Sequence, residues 1–446
     1  MCVSATAYLL ERAWVDGATR DDVLVEVADG RFAAVLPQAP AARTGGAVRL
    51  PGLTLPGLAN THSHAFHRAL RGRTQVPEQR GGGSFWSWRE RMYAVAAVLD
   101  PDSLRRLARA AYREMAAAGI TGVGEFHYLH HQLDGTAYDE PNVMGLALLE
   151  AGRDAGVRVT LLDACYLSSG FGAPPEGVQR RFSDGDIDAW AARVAALPAP
   201  AHGRVGAALH SVRAVPPEQL ARWAGPLVHV HLSEQRVENE ECLARLGATP
   251  TQVLAGAGQL HAGTTVVHAT HLTDGDVGAL GVAGVTACLC PTTERDLGDG
   301  IGPGRALHEA GARLSVGSDS HAVVDLFEEI RGLELHERLA TERRGHWPAA
   351  ELLAAGLRHD SLGVSDAGRI EVGARADLVT LDTAGPRTAG TGAGVQTAVW
   401  AATAADVTHV VADGRVVHTA ADREDVGREL ADAVGAVWGL VEEAAR

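Results

Sequence analysis

Short apolar runs alternate with amphipathic stretches along most of the chain, and this alternation predicts parallel strands separated by helices. Eight such runs fall in or lead into residues 55–365: "LTLPGLANTH", "ITGVGEF", "VRVTLLDAC", "RVGAALH", "LVHVHLS", "TTVVHAT", "GVTACLC" and "ARLSVGS". Strands that are apolar along their whole length need cover on both faces, and helices provide it in a parallel sheet. Eight βα units predict an α/β fold, a (β/α)8 barrel of the TIM type.

Both ends of the chain predict shorter, alternating strands. Two alternating runs flank Asp29 and Gly30, a pair that favours a tight hairpin turn. Residues 368–382 and 407–418 also have strand patterns, and the last residues have the pattern of an amphipathic helix. We therefore expect a strand-rich unit from residues 1–54 and 366–420, a barrel from residues 55–365 and a C-terminal helix from residues 421–446.

Composition narrows the classes of function. The 446 residues carry a formal net charge of −15, which argues against nucleic acid or an anionic membrane as a partner. All 40 basic residues are arginine, so a Schiff-base lysine and a carboxylated lysine that bridges two metal ions are both excluded. The first residues lack the pattern of a signal peptide, and no apolar run approaches the roughly 20 residues that span a bilayer. We expect a cytoplasmic protein.

Polar residues follow the apolar runs at the points where the predicted strands end. The chemistry of a (β/α)8 barrel lies at the C-terminal ends of its strands. The candidates are His62 and His64 after strand one, Glu125 to Tyr128 after strand two, His210 and Arg213 after strand four, His231 and Glu234 after strand five, His268 after strand six, and Asp319 after strand eight. Imidazoles and a carboxylate that several strands deliver to one rim indicate a metal site rather than packed side chains.

The spacing of the first two histidines suits a metal site. His62 and His64 are two residues apart, so an extended strand places both side chains on the same side. His231 and Asp319 would complete a set of three nitrogens and one oxygen suited to a zinc-like divalent ion, with a water at an open position. His67 lies beyond the strand, and we expect it to stay outside this ligand set.

Two further side chains are candidates for proton transfer. Glu234 lies three residues after His231, where a carboxylate can take a proton from a water and pass it to a leaving nitrogen. His268 can orient the water or donate to the developing tetrahedral centre. The alternatives are a solvated loop glutamate and a packed histidine.

Several motifs together carry a family likeness. "THSH", "HLSE", "VHATHL" and "GSDS" resemble the amidohydrolase superfamily, in particular its branch of deaminases with a single metal ion. The strand-rich ends resemble the small β-sandwich of that superfamily. "FWSWRERMY" (85–93), "EFHYLHH" (125–131), "HSVRAV" (210–215), "ERDLGDGIGP" (294–303) and "GSDSH" (317–321) are similar to the formimidoylglutamate deiminase family. Members of that family hydrolyse N-formimino-L-glutamate to N-formyl-L-glutamate and ammonia in histidine degradation.

The resemblance implies roles for particular residues. It implies zinc ligands at His62, His64, His231 and Asp319, catalytic roles for Glu234, His268 and Asp319, and substrate contacts by His67, Arg89, Tyr128, His210 and Arg213. Arginine suits the two carboxylates of such a substrate because its guanidinium matches carboxylate geometry. The resemblance also implies a homodimer.

The sequence departs from the family pattern at two positions. His67 stands where that family often has glutamine, and a histidine there could titrate near neutral pH. Arg295 stands where a small residue is usual, as a third carboxylate contact or as a surface charge.

Other functions stay open at this point. A related deaminase could act on another formimino or guanidino acid or on a nucleobase, although the arginines favour a small dicarboxylate. A catalytically inactive barrel that serves as a binding scaffold is the alternative from another class. Such relatives typically lose metal ligands, and this chain keeps all four.

Overall fold

A barrel of parallel strands forms the centre of the computed structural model, which describes residues 6–75, 85–200 and 202–446. Within these residues, eight strands pair in chain order, each parallel to its neighbours. They are β5 (Leu58–Ser63), β6 (Ile120–His127), β7 (Arg158–Cys165), β8 (Arg204–Ser211), β9 (Val228–Leu232), β10 (Thr264–His268), β11 (Thr286–Leu289) and β12 (Arg313–Val316). This arrangement confirms the predicted barrel.

The last strand meets the first just beyond the end of β12. The backbone N–H of Asp319 donates to the carbonyl of His62 at 3.0 Å, and the N–H of His64 donates to the carbonyl of Asp319 at 3.1 Å. Gly317 lies against the backbone of His62 so closely that a Cβ there would be 2.7 Å from the His62 carbonyl oxygen. The barrel therefore closes at the residues that the sequence nominates as metal ligands.

Helices cover the barrel from outside. They are α1 (Phe85–Val98), α2 (Pro101–Ala117), α3 (Val143–Ala155), α4 (Ile187–Ala195), α5 (Pro217–Leu220), α6 (Arg236–Leu246), α7 (Pro250–Gly256), α8 (Asp274–Ala283), α9 (Pro291–Leu297), α10 (Gly304–Ala310), α11 (Leu326–Thr341), α12 (Ala349–Ala355), α13 (Val395–Trp400) and α14 (Arg423–Ala444). The C-terminal helix packs on α2, and the indole N–H of Trp438 donates to the carbonyl of Ala69 at 2.7 Å. None of the helices in the described residues has the length and apolar content needed to cross a membrane.

Strands from both chain ends form a separate sheet. They are β1 (Thr6–Val15), β2 (Ala18–Ala28), β3 (Arg31–Leu36), β4 (Val48–Pro56), β13 (Leu378–Leu381), β14 (Val407–Ala412) and β15 (Arg415–Thr419). Hydrogen bonds join these described strands into one continuous mixed sheet in the order β15-β14-β13-β4-β1-β2-β3, rather than into two sheets. The β2–β3 turn has left-handed backbone at Asp29 (φ 50°) and Gly30 (φ 74°), which fits the predicted hairpin.

A buried ion-pair network connects this sheet to the barrel. Arg158, at the start of β7, donates to the carboxylate of Asp377 at 3.0 and 3.3 Å and to that of Asp413 at 2.7 Å. The side chains of Arg158 and Asp377 are only 4% and 1% exposed. Burial would raise the pKa of Asp377, but the charge and hydrogen bonds of Arg158 hold it below its usual range. The network therefore fixes the small sheet against the lower end of the barrel.

Replacing Asp377 by Asn should lower the free energy of unfolding by about 3 kcal/mol, because a buried guanidinium loses a charged partner. The folded-state pKa of Asp377 is depressed, so its contribution is present above the unfolded pKa of about 3.9 and disappears as the pH falls further. Chemical denaturation should therefore show a constant difference between pH 5 and pH 8 that shrinks below about pH 4. Asp21→Asn, in an exposed pair with Arg12 on the same sheet, is the control and should cost less than about 1 kcal/mol. Equal losses in both variants would refute this role.

Candidate active site

Three ring nitrogens at the ends of two strands, β5 and β9, converge with one carboxylate at the top of the barrel. The Nε2 atoms of His62 and His64 lie 3.1 and 3.4 Å from Oδ1 of Asp319. Nε2 of His231 lies 3.1 Å from Nε2 of His62. Ligands in a tetrahedral zinc site with bonds of 2.0–2.1 Å are about 3.3 Å apart, so these spacings suit one divalent ion.

The tautomers of two rings strengthen this assignment. Nδ1–H of His64 donates to the carbonyl of Phe126, and Nδ1–H of His231 donates to the carbonyl of His210, both at 2.9 Å. A carbonyl oxygen only accepts, so each Nδ1 carries the hydrogen and each Nε2 presents a lone pair. Burial lowers the pKa of both histidines well below the usual value, which keeps the rings neutral. Lone pairs that face one another this closely fit a bound cation.

The backbone at the site is strained. Ser233, His268 and Asp319 follow or end barrel strands with left-handed φ values of 51°, 69° and 40°. Such conformations cost roughly 1–3 kcal/mol for a residue with a side chain, and they persist only when the surroundings hold them. The two backbone hydrogen bonds that close the barrel hold Asp319 in this conformation. The strain turns the side chain towards the histidines instead of along the strand.

Glu234 and His268 form an acid–base pair beside the ring nitrogens. Oε1 of Glu234 lies 3.7 Å from Nε2 of His268, while Nδ1 of His268 lies 3.6 Å from Oε1 of Glu294. Burial alone would lower the pKa of His268, but the charges of Glu234, Asp319 and Glu294 raise it well above its usual value. Burial also raises the pKa of Glu234, and the positive charge of His268 opposes this. The pair thus combines a proton donor with a carboxylate suited to accepting and returning a proton.

The predicted substrate-binding residues line one cavity above this cluster. His62 lies fully buried behind it, close to the other donors. The predicted residues that line the cavity are His64, His67, Arg89, Tyr128, His210, Arg213, His231, Glu234, His268 and Asp319. The structure therefore brings the whole predicted set together.

His67 lies in the cavity wall, outside the cluster of ligand atoms. Its Nε2 lies 2.9 Å from the hydroxyl of Tyr128, and its ring packs on that of His64 with centroids 4.5 Å apart. Burial lowers the pKa of His67 to about 3. The imidazole is therefore neutral at physiological pH and does not titrate near pH 7, as an exposed histidine would.

The three arginines of interest separate into two environments. Arg213 and Arg89 line the cavity. Arg295 lies on the surface of α9, where its guanidinium donates to Glu328 at 2.6 Å. Of the two roles considered for Arg295, the structure supports the surface charge.

Comparison with known proteins places the chain in a family. The sequence profile described as the amidohydrolase family matches residues 53–417, which is most of the chain. The chain belongs to the amidohydrolase family. It is 39% identical to a formimidoylglutamate deiminase of Pseudomonas aeruginosa over 84% of this chain and 86% of that protein. It is also 28% identical to a 5-methylthioadenosine/S-adenosylhomocysteine deaminase of Natronomonas pharaonis, over 89% of this chain and 88% of that protein.

Solved structures agree with this amidohydrolase assignment. An amidohydrolase from Brucella melitensis is 30% identical and superposes with a TM-score of 0.86, covering 97% of this chain and 100% of that one. An adenosine deaminase from Xanthomonas campestris, solved with bound zinc, gives a TM-score of 0.82 at 22% identity, covering 97% and 98% of the two chains. This amidohydrolase is a hydrolase that acts on carbon–nitrogen bonds, and its chemistry is that of a deaminase.

The amidohydrolase cavity also contains residues that the sequence did not nominate. Its further lining residues are Trp88, Met92, Tyr93, Tyr166, Ser169, Phe182, Ser211, Glu238 and Leu297. Tyr166 directly follows strand β7, so the strand-end rule that nominated Tyr128 would also have found it if it had been applied to the third barrel strand. One face of α1 carries, at helical spacing, Trp88, Arg89, Met92 and Tyr93.

Glu238 is a further carboxylate in the cavity wall. Burial raises its pKa to about 7, although the positive charge of Arg213 opposes this shift.

Replacing Gly317 by Ala should disrupt the amidohydrolase site through its backbone. The new Cβ would lie 2.7–2.9 Å from the carbonyl oxygen, Cβ and nitrogen of His62, so β12 and β5 must move apart. Overpacking of this kind costs about 1–3 kcal/mol, and it separates Asp319 from the histidines. We expect a lower Tm and a substoichiometric metal content after equilibration with a divalent metal ion.

Gly278→Ala is the matched control, because Gly278 is exposed on α8 with nothing within 4 Å of an added Cβ. This variant should bind the same amount of metal as the unmodified protein and gain slightly in stability, by up to about 1 kcal/mol. An unchanged metal content and an unchanged Tm in Gly317→Ala would contradict the proposed closure constraint.

Proposed function

We propose that this amidohydrolase binds zinc and hydrolyses N-formimino-L-glutamate to N-formyl-L-glutamate and ammonia, the reaction of histidine degradation. The observation that carries the proposal is the presence of Arg213 and Arg89 in the same cavity as the histidine–carboxylate cluster. Guanidinium groups suit a substrate with two carboxylates, whereas the cluster suits attack on an amidine carbon. The 39% identity to a deiminase named for this compound supports the same substrate.

Zinc fits the donor set of three neutral imidazoles and one carboxylate, which His62, His64, His231 and Asp319 provide. When bound, the ion would supply Lewis acidity for a water molecule and a polarising charge for the substrate. Asp319 is suited to be the carboxylate ligand because it stays ionised: burial would raise its pKa, but the positive charge of His268 helps to hold it well below the usual range.

The protein side chains can account for the proton transfers. Water attacks the formimino carbon and gives a tetrahedral centre that carries one oxygen and two nitrogens. Glu234 accepts the proton of the attacking water and delivers it to the terminal nitrogen, which leaves as ammonia. His268 and Asp319 lie where they can stabilise the oxygen and its proton during collapse to the formyl product. Atoms balance: the amidine gains one water and loses one ammonia.

Purified protein loaded with zinc should release ammonia from N-formimino-L-glutamate, with about one zinc ion per chain. N-formimino-L-aspartate should react more slowly, because its side chain is one methylene shorter and changes the distance between the amidine carbon and the side-chain carboxylate. S-adenosylhomocysteine and guanine test the second candidate, a purine substrate, which the relatives named as adenosine-type deaminases and the aromatic cavity wall favour. A purine turned over faster than the formimino compound would sink the dicarboxylate proposal.

Replacing Arg213 by Met should lower kcat/KM for N-formimino-L-glutamate at least about thirtyfold, because losing one partner of a buried charge pair costs about 2–5 kcal/mol. Zinc content should not change, since Arg213 lies outside the donor cluster. Arg295→Met makes the same substitution on the surface, where the guanidinium pairs with Glu328, and should leave kcat/KM within about twofold. Equal kinetics of the two variants would overturn the carboxylate-anchor role.

A further inference from the structure

Two cavity tyrosines share one buried amide. The side-chain N–H groups of Gln179 donate to the hydroxyl oxygens of Tyr93 and Tyr166, both at 2.9 Å. Gln179 belongs to a 3-10 segment (Gly177–Phe182) and is only 6% exposed. Tyr93 lies on α1, and Tyr166 directly follows β7. One amide thus connects three elements around the mouth of the cavity.

The orientation of this amide is determined by its neighbours. The Gln179 side-chain oxygen accepts the backbone N–H of Glu176 at 3.2 Å, and a backbone nitrogen only donates. The nitrogen of the amide must therefore face the tyrosines. Both tyrosine hydroxyl oxygens accept hydrogen bonds from this nitrogen, so each phenolic hydrogen points away from Gln179. Within the described parts of the chain, neither hydroxyl donates to a protein acceptor, and both residues line the cavity.

We propose that Tyr93 and Tyr166, oriented by Gln179, donate hydrogen bonds to a carboxylate of the substrate and select for an acidic substrate. This proposal rests on the proposed function and adds residues to its binding site. Both tyrosines line the cavity together with Arg89 and Arg213, and the guanidinium carbon of Arg89 is 5.6 Å from the centroid of the Tyr93 ring. A carboxylate at this place would receive neutral donors in addition to positive charge.

The surroundings of Tyr166 support this assignment. Burial raises the pKa of its hydroxyl, whereas the positive charges of Arg213 and Arg89 lower it. Both guanidinium groups are therefore close enough to interact electrostatically with the hydroxyl. The ring packs edge-on against His210, with centroids 4.8 Å apart, and against Phe182 at 5.4 Å. These contacts fix the ring and leave the hydroxyl as a protonated donor at the arginine-lined part of the cavity.

The first test compares the Tyr93→Phe and Tyr166→Phe variants on three compounds. N-formimino-L-glutamate carries both carboxylates, N-formimino-L-glutamine has a neutral side-chain amide, and N-formimino-4-aminobutyrate lacks the α-carboxylate. Each variant should lose about ten- to hundredfold in kcat/KM on the glutamate compound, mainly through KM. On the analogue that lacks the contacted carboxylate, the loss should shrink to less than about threefold. Equal losses on all three compounds would overturn the carboxylate contact.

The second test reverses the polarity of the amide. A carboxylate in the Gln179→Glu variant would accept both phenolic hydrogens and withdraw them from the cavity, at nearly unchanged side-chain volume. Its loss in kcat/KM on N-formimino-L-glutamate should match that of the Tyr93→Phe/Tyr166→Phe double variant. In that double-variant background, Gln179→Glu should add less than about threefold. If Gln179→Glu lowers kcat/KM as much in the double-variant background as it does alone, the new carboxylate acts by repelling the substrate carboxylate. The orienting role of Gln179 would then be wrong.

Tyr8→Phe is the control for the loss of a buried hydroxyl. The Tyr8 hydroxyl donates to the carbonyl of Gly414 at 2.9 Å in the small sheet. This variant should lose stability without a change in KM, which separates a folding defect from a binding defect. Tm and zinc content are measured for every variant. The cavity variants change the partners of a buried amide, so they should lose some stability as Tyr8→Phe does, but unlike Tyr8→Phe they should also raise KM, and they should keep their zinc.

Turnover by the unmodified protein separates the two proposals. If it hydrolyses N-formimino-L-glutamate while the tyrosine variants match it, only the tyrosine contact fails. If it shows no turnover, the proposed function fails, and calorimetric binding of N-formyl-L-glutamate to the zinc-loaded protein decides the contact alone. Binding that weakens at least about tenfold in the Phe variants supports the hydroxyl donors, whereas no binding by the unmodified protein overturns them.

Discussion

The contact between the first and last barrel strands determines whether this site exists. Two backbone hydrogen bonds connect Asp319 to His62 and His64, and they fix three of the four candidate ligand residues relative to one another. The approach is close enough that only a glycine fits at position 317. Asp319 has a left-handed backbone conformation, which is unfavourable for a residue with a side chain. The hydrogen bonds of the closed barrel offset this free-energy cost. The contact that closes the barrel therefore also brings most of the candidate ligands together.

Electrostatics explain why such a site is poised for a cation. Burial keeps His64 and His231 neutral, so the strands deliver lone pairs rather than positive charge to the centre. Asp319 and Glu234 contribute negative charge close by, and His268 becomes the local cation because carboxylates surround it. A divalent ion would relieve the repulsion among the lone pairs and balance the carboxylates. Its presence would also change the protonation of every neighbouring group.

The strand-end rule explains what the sequence could predict. Parallel strands bring their C-terminal ends to one rim whatever the loops do, so His62, His231 and Asp319 could be placed from their positions alone. Residues on loops and helices follow no such rule. Glu294 and Arg295 are neighbours on α9, yet one is buried behind His268 and the other is exposed, because a helix turns about 100° per residue. Gln179 lies in a 3-10 segment without periodicity, so only the fold reveals its contacts.

A division of charge along the cavity connects the chemistry with the choice of substrate. The cluster around Asp319 and Glu234 is rich in carboxylates, whereas Arg213, Arg89 and the tyrosine hydroxyls provide positive charge and hydrogen-bond donors. A formimino amino acid is divided in the same way, because its amidine is basic and its carboxylates are anionic. If the substrate carboxylates bind at the arginines, the amidine carbon faces the cluster around Asp319 and Glu234. In the opposite orientation the carboxylates of the substrate would face those of the cluster, and the amidine would face the arginines. Such orientation reduces the entropic cost of reaction, and it gives a physical reason why a strongly acidic chain places arginines at this cavity.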